Sequence, residues 1–300
     1  MKGIKYFSSL IMACILSSTS YAWWEAGHML VADIAYANLN SNAKKVVKDL
    51  LPYMDAESTA RNSYSYNQTN PNYSLMAISH WPDDLHAFPN YLSTTRTWHY
   101  IEDAYSEDGT EIPSIIPRDN VVWAINQFRN HLGQKKANKY SRARALAYLV
   151  HFVGDIHQPM HCAELHSAIL PNGDRGGNSY KIYYKEDNGD VIHNLHALWD
   201  SALRVYPKKN YPHDVNKPKD INALMKLISA DYPRSYFKEE LKILDPDQWH
   251  QESHAIAKIA HQTKFDSKPT ESYISSNTEL AEQRIVLAGY RLAEILNKIL

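Results

Sequence analysis

Cysteine is nearly missing from this chain. Its 300 residues hold two, Cys14 and Cys162. Cys14 falls in a leading segment that reads as an export signal, so Cys162 would be the only cysteine of the mature protein. That excludes an internal disulfide framework and any metal site built on paired thiolates. Excess charge is missing too: 32 Lys and Arg stand against 33 Asp and Glu. No broad basic surface is available, so a polyanion would have to be held locally, by metal or by a few side chains. After the leading segment no apolar run is long enough to span a bilayer. There is no internal repeat, no low-complexity tract and no linker that would divide domains. A G-x-S-x-G elbow is also absent, which argues against a Ser/His/Asp hydrolase.

The leading segment has the three parts of a secretory signal peptide. Lys2 and Lys5 are followed by a short apolar run over residues 7–16, then by the small-x-small signature Ser20-Tyr21-Ala22. Cleavage after Ala22 would leave Trp23 as the mature N-terminus, in a secreted or periplasmic protein that is free of the membrane. A retained signal anchor is the alternative reading. The expected organisation is a signal peptide over residues 1–22 and one domain over residues 23–300.

Hydrophobic periodicity predicts helices over residues 23–39, 43–51, 120–132, 141–156 and 194–203, and an amphipathic closing helix over 280–300. Pro52 is expected to stop the second. Residues 180–184 and 191–192, joined through Asp187-Asn188-Gly189, predict a small hairpin. Residues 55–73, 103–117, 166–178 and 207–219 read as loops. The fold class is therefore all-α: a mainly helical single domain with a small β-hairpin, monomeric by default.

What the chain does have is histidine, 15 residues of it. The densest stretch is residues 147–161, AYLVHFVGDIHQPMH. On a helix, His151 and Asp155 are i and i+4 and share a face. Their neighbours are Leu149, Val150, Phe152, Val153 and Ile156, so the carboxylate must be paired or bound to a cation. His161 follows Pro159, where a helix should bend or stop. A second i, i+4 pair, His196 and Asp200, sits in NLHALWDSAL. His99 and Asp83 are isolated in apolar or Trp-rich surroundings. Nitrogen and oxygen ligands without thiolates suit zinc in catalytic sites that keep open positions. Trp23-Trp24-Glu25-Ala26-Gly27-His28 adds a histidine five residues after the expected cut. A free α-amino group with its own carbonyl can chelate a metal, with His28 as a further ligand.

These blocks occur in the order that marks a known family. They are Trp23 to His28 (W-x4-H), Trp81-Pro82-Asp83 (W-x-D), His99-Tyr100-Ile101-Glu102, and His151 to His161 (H-F-x-G-D-x-x-Q-P-x-H). Gly176-Gly177-Asn178 and Asn194 to Asp200 (N-L-H-x-x-W-D) follow. The chain resembles the type I single-strand-specific zinc nucleases, secreted enzymes of the mung bean nuclease kind. Gly289-Tyr290-Arg291-Leu292-Ala293 is similar to the family's last helix.

The resemblance implies the three-zinc helical fold shared by these nucleases and phospholipase C. It assigns one Zn²⁺ to Asp83, His99, His151 and Asp155. A close neighbour falls to the Trp23 amino nitrogen and carbonyl, His28 and the bridging Asp155. A third falls to His161, His196 and Asp200. It implies hydrolysis of single-stranded DNA and RNA by a hydroxide held between the close pair. The catalytic carriers would be Asp155, His151 and Asp83. The third zinc would sit on the leaving 3′ oxygen, giving 5′-phosphate products, mononucleotides among them, and a 3′-nucleotidase activity. Tyr100 stands where the family stacks a nucleobase, with Glu102 and Asn178 beside it; a core aromatic is the lesser alternative for Tyr100.

The chain departs from the pattern in places. Glu102 replaces the Asp of fungal members. His86 stands near where an Arg often follows W-x-D. The disulfides of eukaryotic relatives are absent. His157 has no ligand counterpart and reads as a supporting residue at best, and Cys162 as a plain small residue. Asn67-Gln68-Thr69 and Asn72-Tyr73-Ser74 are glycosylation sequons that matter in a eukaryotic host. The alternative function is a zinc phospholipase C. Such an enzyme would have a longer gap from the N-terminal Trp to the first His, and Glu as the last acidic ligand.

Overall fold

Helix α1 (Glu25–Ala37) is buried at every position from Ala26 to Ala35. A helix apolar on all sides has to be enclosed, and the rest of the chain encloses it. The computed structural model describes residues 23–54, 71–85, 94–113, 116–185, 191–204 and 218–300. In chain order the further helices are α2 (Ser41–Leu50), α3 (Pro71–Ser79), α4 (Trp81–Asp84), α5 (Val121–Gly133), α6 (Lys139–Asp155), α7 (Leu195–Asp200), α8 (Pro218–Asp231), α9 (Pro246–Ala260) and α10 (Glu271–Ile299). Against α1 pack α10, α3, α8 and α6. The crossing with α10 is tight: a Cβ added at Gly289 would lie 2.6 Å from Ile34 Cβ. None of the described helices is long and apolar enough to cross a membrane.

Helix starts follow cap chemistry. Asn40, Asn120, Asn138, Asn194, Asp245 and Thr270 each accept a hydrogen bond from a backbone N–H in the first turn of the helix that follows. A cap of this kind contributes about 1 kcal/mol. Thr270 explains one difference from expectation. The closing helix begins at Glu271 rather than near residue 280, because a polar first section, ESYISSNTE, carries a weak apolar stripe but a good cap. Pro71 likewise opens a helix inside a stretch expected to be loop, at a position where its missing N–H costs nothing. The second helix ends at Leu50, and a 3₁₀ turn, Leu51–Met54, runs on through Pro52.

Two short ladders position the site. Strands β3 (Lys181–Lys185) and β4 (Val191–Asn194) are antiparallel, the expected hairpin. Its turn, Asp187-Asn188-Gly189, lies outside the described residues, as do residues 1–22, His86 and the Asn67 sequon. The other ladder was not foreseen. Strands β1 (Ala104–Ser106) and β2 (Glu164–His166) pair in parallel, with Ala104 opposite Glu164 and Ser106 opposite His166. Parallel pairing needs a long crossover, and α5 and α6 supply it. The pairing extends toward the site, since Ile101 N donates to His161 O at 2.7 Å and Glu164 N to Asp103 O at 3.1 Å. Residues 99–103 and 161–164 therefore run side by side.

Candidate metal centre

The last ten residues of α6, Leu146 to Asp155, are all buried. Asp155 is wholly enclosed, so its carboxylate cannot rely on water. Its two oxygens face two different groups. Oδ2 lies 3.1 Å from His99 Nδ1 and 3.2 Å from His151 Nε2. Oδ1 lies 3.4 Å from His28 Nε2. Asp83 Oδ1 closes the first group, 3.3 Å from His151 Nε2 and 3.4 Å from His99 Nδ1. The two ring nitrogens are 3.0 Å apart.

Those distances have a simple meaning. A tetrahedral ion with ligands at about 2.0–2.1 Å has ligand–ligand edges of about 3.3 Å. The edges here span 3.0–3.4 Å. Two imidazoles and two carboxylates converging on one point share a cation far more readily than one another's protons.

A third group lies beyond α6. His161 follows on a 3₁₀ turn, Pro159–His161, four residues past the end of the helix, and so points away from His151. His196 and Asp200 are one turn apart on α7, with Nε2 3.2 Å from Oδ2. All three residues are buried, and their ligand atoms lie within 4.8 Å of one another.

Backbone carbonyls orient the imidazoles. Nδ1–H of His151 donates to Ser79 O at 2.8 Å, that of His161 to His99 O at 2.7 Å, and that of His196 to Gly176 O at 2.6 Å. Each ring is thereby fixed in the tautomer that leaves Nε2 as a lone pair facing its cluster. Gln158 does the same for Asp200: its amide donates to Oδ1 at 2.6 Å, leaving Oδ2 to the cluster. The same Gln158 accepts from Met160 N at 2.6 Å, which shapes the turn before His161.

The remaining letters of the motifs are explained by packing. A Cβ at Gly154 would lie 2.8 Å from His28 Nδ1. Gly154 O accepts the Trp23 indole N–H at 3.0 Å, and Trp24 N donates to Asp200 O at 2.9 Å, so the start of the described chain is pinned between α6 and α7. Gly176 and Gly177 both have positive φ. A Cβ at Gly176 would collide with Met160 O at 2.3 Å, and one at Gly177 would lie 3.0 Å from His196 N. This loop must lie directly on the third cluster to orient His196, and only glycine permits it.

The electrostatics fit a cation. Buried His28 Nε2, Asp83 Oδ1, Asp155 Oδ1, His161 Nε2 and His196 Nε2 have no hydrogen-bond partner. Burial, reinforced by neighbouring histidines, lowers the pKa of His28 and of His161, so both rings are neutral at pH 7 and free to accept a cation. Burial pushes Asp155 up to about 7, against the pull of His151. Burial also raises Asp200. For His151 burial acts downward, but Asp155 and Asp83 outweigh it and raise the ring. Without a cation the cluster holds protons, and a bound dication would displace them.

The base-contact candidates are placed differently. Tyr100 is half-buried next to His99, and burial raises its hydroxyl; Glu102, Arg96 and Arg175 act on it next. Burial also raises Glu102, which feels Glu164, Arg96 and Arg175. Asn178 donates to Arg175 O at 2.9 Å and closes the glycine turn. Arg96 and Arg175 carry no motif signal, yet they are the cations beside Tyr100 and Glu102.

His157 takes no part. Its Nδ1–H donates to Val153 O at 2.8 Å, and its Nε2 accepts from Arg291 at 3.0 Å. Arg291, fully buried, also holds Glu252 through two contacts of 2.7 Å. Cys162 is buried, with its thiol pushed up to about 12 chiefly by burial. Asn72, the second sequon, is tied by its amide to buried Asp33.

The family model described as S1/P1 Nuclease matches residues 23–300. Endonuclease 3 of Arabidopsis thaliana is 28% identical over 305 residues, covering 97% of this chain and 93% of its own length. Nuclease S1 of Aspergillus oryzae is 24% identical over 302 residues, covering 95% and 94%. Nuclease P1 of Penicillium citrinum is 26% identical over 191 residues, covering 60% and 58%.

Proposed function

The chain belongs to the S1/P1 nuclease family, and from that premise we propose that its three buried His/Asp clusters hold three zinc ions serving the hydrolysis of single-stranded DNA and RNA. It is a hydrolase of phosphodiester bonds, an endonuclease. The observation that carries the metal assignment is Asp155, whose buried Oδ2 faces His99 and His151 while its buried Oδ1 faces His28. Asp83, His99, His151 and Asp155 would hold one ion. His28 and Asp155, with the Trp23 amino nitrogen and carbonyl, would hold the second. His161, His196 and Asp200 would hold the third.

When bound, such ions lower the pKa of water and neutralise phosphate charge. The chain's own residues do the positioning. Ser79, His99 and Gly176 fix three imidazoles through their carbonyls. Gln158 fixes Asp200. Tyr100 offers a half-buried ring for base stacking, with Glu102 and Asn178 near the base. A duplex hides its base faces, which gives the single-strand preference a physical reason. Phosphate charge met by metal also explains how a chain without net positive charge can act on nucleic acid. The products are expected to carry 5′-phosphates, and 3′-nucleotidase activity should accompany them. The Trp23 ligand requires cleavage after Ala22, so activity would begin with export, outside the cytoplasm.

The test is end-group analysis on a single-stranded oligonucleotide, with and without chelator, beside a phosphatidylcholine control. Cleavage to 5′-phosphate ends that stops on chelation is expected. Hydrolysis of phosphatidylcholine without oligonucleotide cleavage would overturn the reading in favour of a phospholipase C.

A further inference from the structure

One more group of ligand-type side chains converges outside these clusters. On α9, His250 and His254 are i and i+4 and share a face. Both rings point at Asp103, on the short segment between His99 and β1. His250 Nε2 lies 3.1 Å and His254 Nδ1 3.5 Å from the same oxygen, Asp103 Oδ2. In the main centre, His99 and His151 converge on Asp155 Oδ2 at 3.1 and 3.2 Å. The arrangement of two imidazole nitrogens on one carboxylate oxygen is the same. Without an ion, His254 Nδ1–H donates to the carbonyl oxygen of Cys162 at 3.3 Å beside Asp103 Oδ2, and a bound metal would take the place of that proton.

Two further features resemble a ligand set. His250 Nδ1 is buried and has no hydrogen-bond partner, and it faces Asp247 Oδ1 at 3.7 Å. The group is also open enough for water: the side chain of Asp103 is 32% exposed and that of His254 15%.

We propose that Asp103, His250 and His254 form a fourth metal site, separate from the catalytic clusters, that takes a divalent transition-metal ion such as Zn²⁺. Two imidazoles and one carboxylate favour this class over Mg²⁺ or Ca²⁺, which prefer all-oxygen ligands. The ion would be a brace. Helix α9 packs on the Pro159–His161 turn, and Asp103 belongs to the segment hydrogen-bonded to residues 161–164. One ion there would clamp α9 to the two chain segments that carry His99 and His161.

The test does not depend on the three-zinc reading. Crystals of the whole protein grown with excess zinc and measured at the zinc edge should show an anomalous peak among Asp103 Oδ2, His250 Nε2 and His254 Nδ1. The absence of a peak there at saturating zinc overturns the proposal, whatever the main clusters hold. In solution, His254→Gln and Asp103→Asn should each retain one zinc fewer than wild type after dialysis against a zinc buffer. Loss of one of three direct ligands should weaken this site by more than the about 10–100-fold that loss of an outer-shell partner costs. A natively folded variant with the full wild-type metal count would also overturn it. If one variant does not fold, the other and the wild-type map give the answer.

Discussion

Replacing Gly154 by Ala tests the close metal pair without touching a ligand. The added methyl would lie 2.8 Å from His28 Nδ1 and 3.1 Å from its Cε1. Ordinary contact begins near 3.4 Å, so the ring must retreat by about 0.6 Å. It cannot swing aside cheaply, because it is fully buried and stacked on His151 with ring centroids 4.0 Å apart. Metal sites tolerate errors of about 0.2 Å in ligand position. The ion shared by His28 and Asp155 should therefore bind at least about 10-fold more weakly, and a misplacement of this size should slow cleavage by about 10–100-fold. Stability should not rise: overpacking against the buried ring costs about 1–3 kcal/mol, which offsets the about 1 kcal/mol that alanine gains as a helix former, so the metal-free variant should melt no higher than metal-free wild type. The assay pairs zinc content with the rate on single-stranded DNA, and adds a melting curve in chelator. Full zinc content and a wild-type rate in Gly154→Ala would refute the claim that His28 is held against α6 as a ligand.

Three further outcomes are expected. Asp155→Asn keeps the volume but removes the charge facing both histidine groups, so hydrolysis of single-stranded DNA and RNA should fall by more than about 100-fold; retained activity would refute the bridge. A single residue added before Trp23 in the mature protein should abolish the close pair, read as lost zinc and lost rate, whereas a normal rate would show that the amino group is no ligand. Glu252→Gln should destabilise by about 1.5–3 kcal/mol at pH 7, because it weakens the charge-assisted hydrogen bonds that satisfy buried Arg291. The pH dependence has a definite sign. Burial alone would raise the Glu252 carboxyl, but Arg291 and Arg284 hold it below its ordinary 4.5. The ion pair thus contributes fully above about pH 4.5 and is lost as pH falls through the lower folded value. Chemical denaturation should show wild type and variant converging in acid; a gap independent of pH would contradict this.

Much of the centre was legible because its histidines and aspartates sit at helical spacings. His151 with Asp155, and His196 with Asp200, can be paired from the letters alone, and an enclosed carboxylate in an apolar run demands a partner. The supporting letters were visible but mute. Gly154, Gln158 and Gly176 acquire reasons only when α1, α7 and the glycine loop come together in space. Arg96 and Arg175 gave no signal, because exposed cations on a single 3₁₀ turn and in a loop have no period. Asp103 was hidden behind the β1–β2 ladder, a parallel contact across sixty residues that local pattern cannot encode. The His250 and His254 pair has the same spacing as the His151/Asp155 and His196/Asp200 pairs, yet its third partner is supplied by the fold. The long start of α10 was missed for a related reason: its cap at Thr270 is a one-residue signal ahead of a polar turn.

The central claim is that the buried clusters act on nucleic acid through bound metal. Metal add-back tests it most directly. Mature protein is stripped with a chelator, the chelator is removed, and zinc is returned in steps while single-stranded DNA cleavage is followed. The account predicts no cleavage in the stripped protein and recovery of the rate as zinc is restored. Full cleavage by the stripped protein, with no metal present, would contradict it.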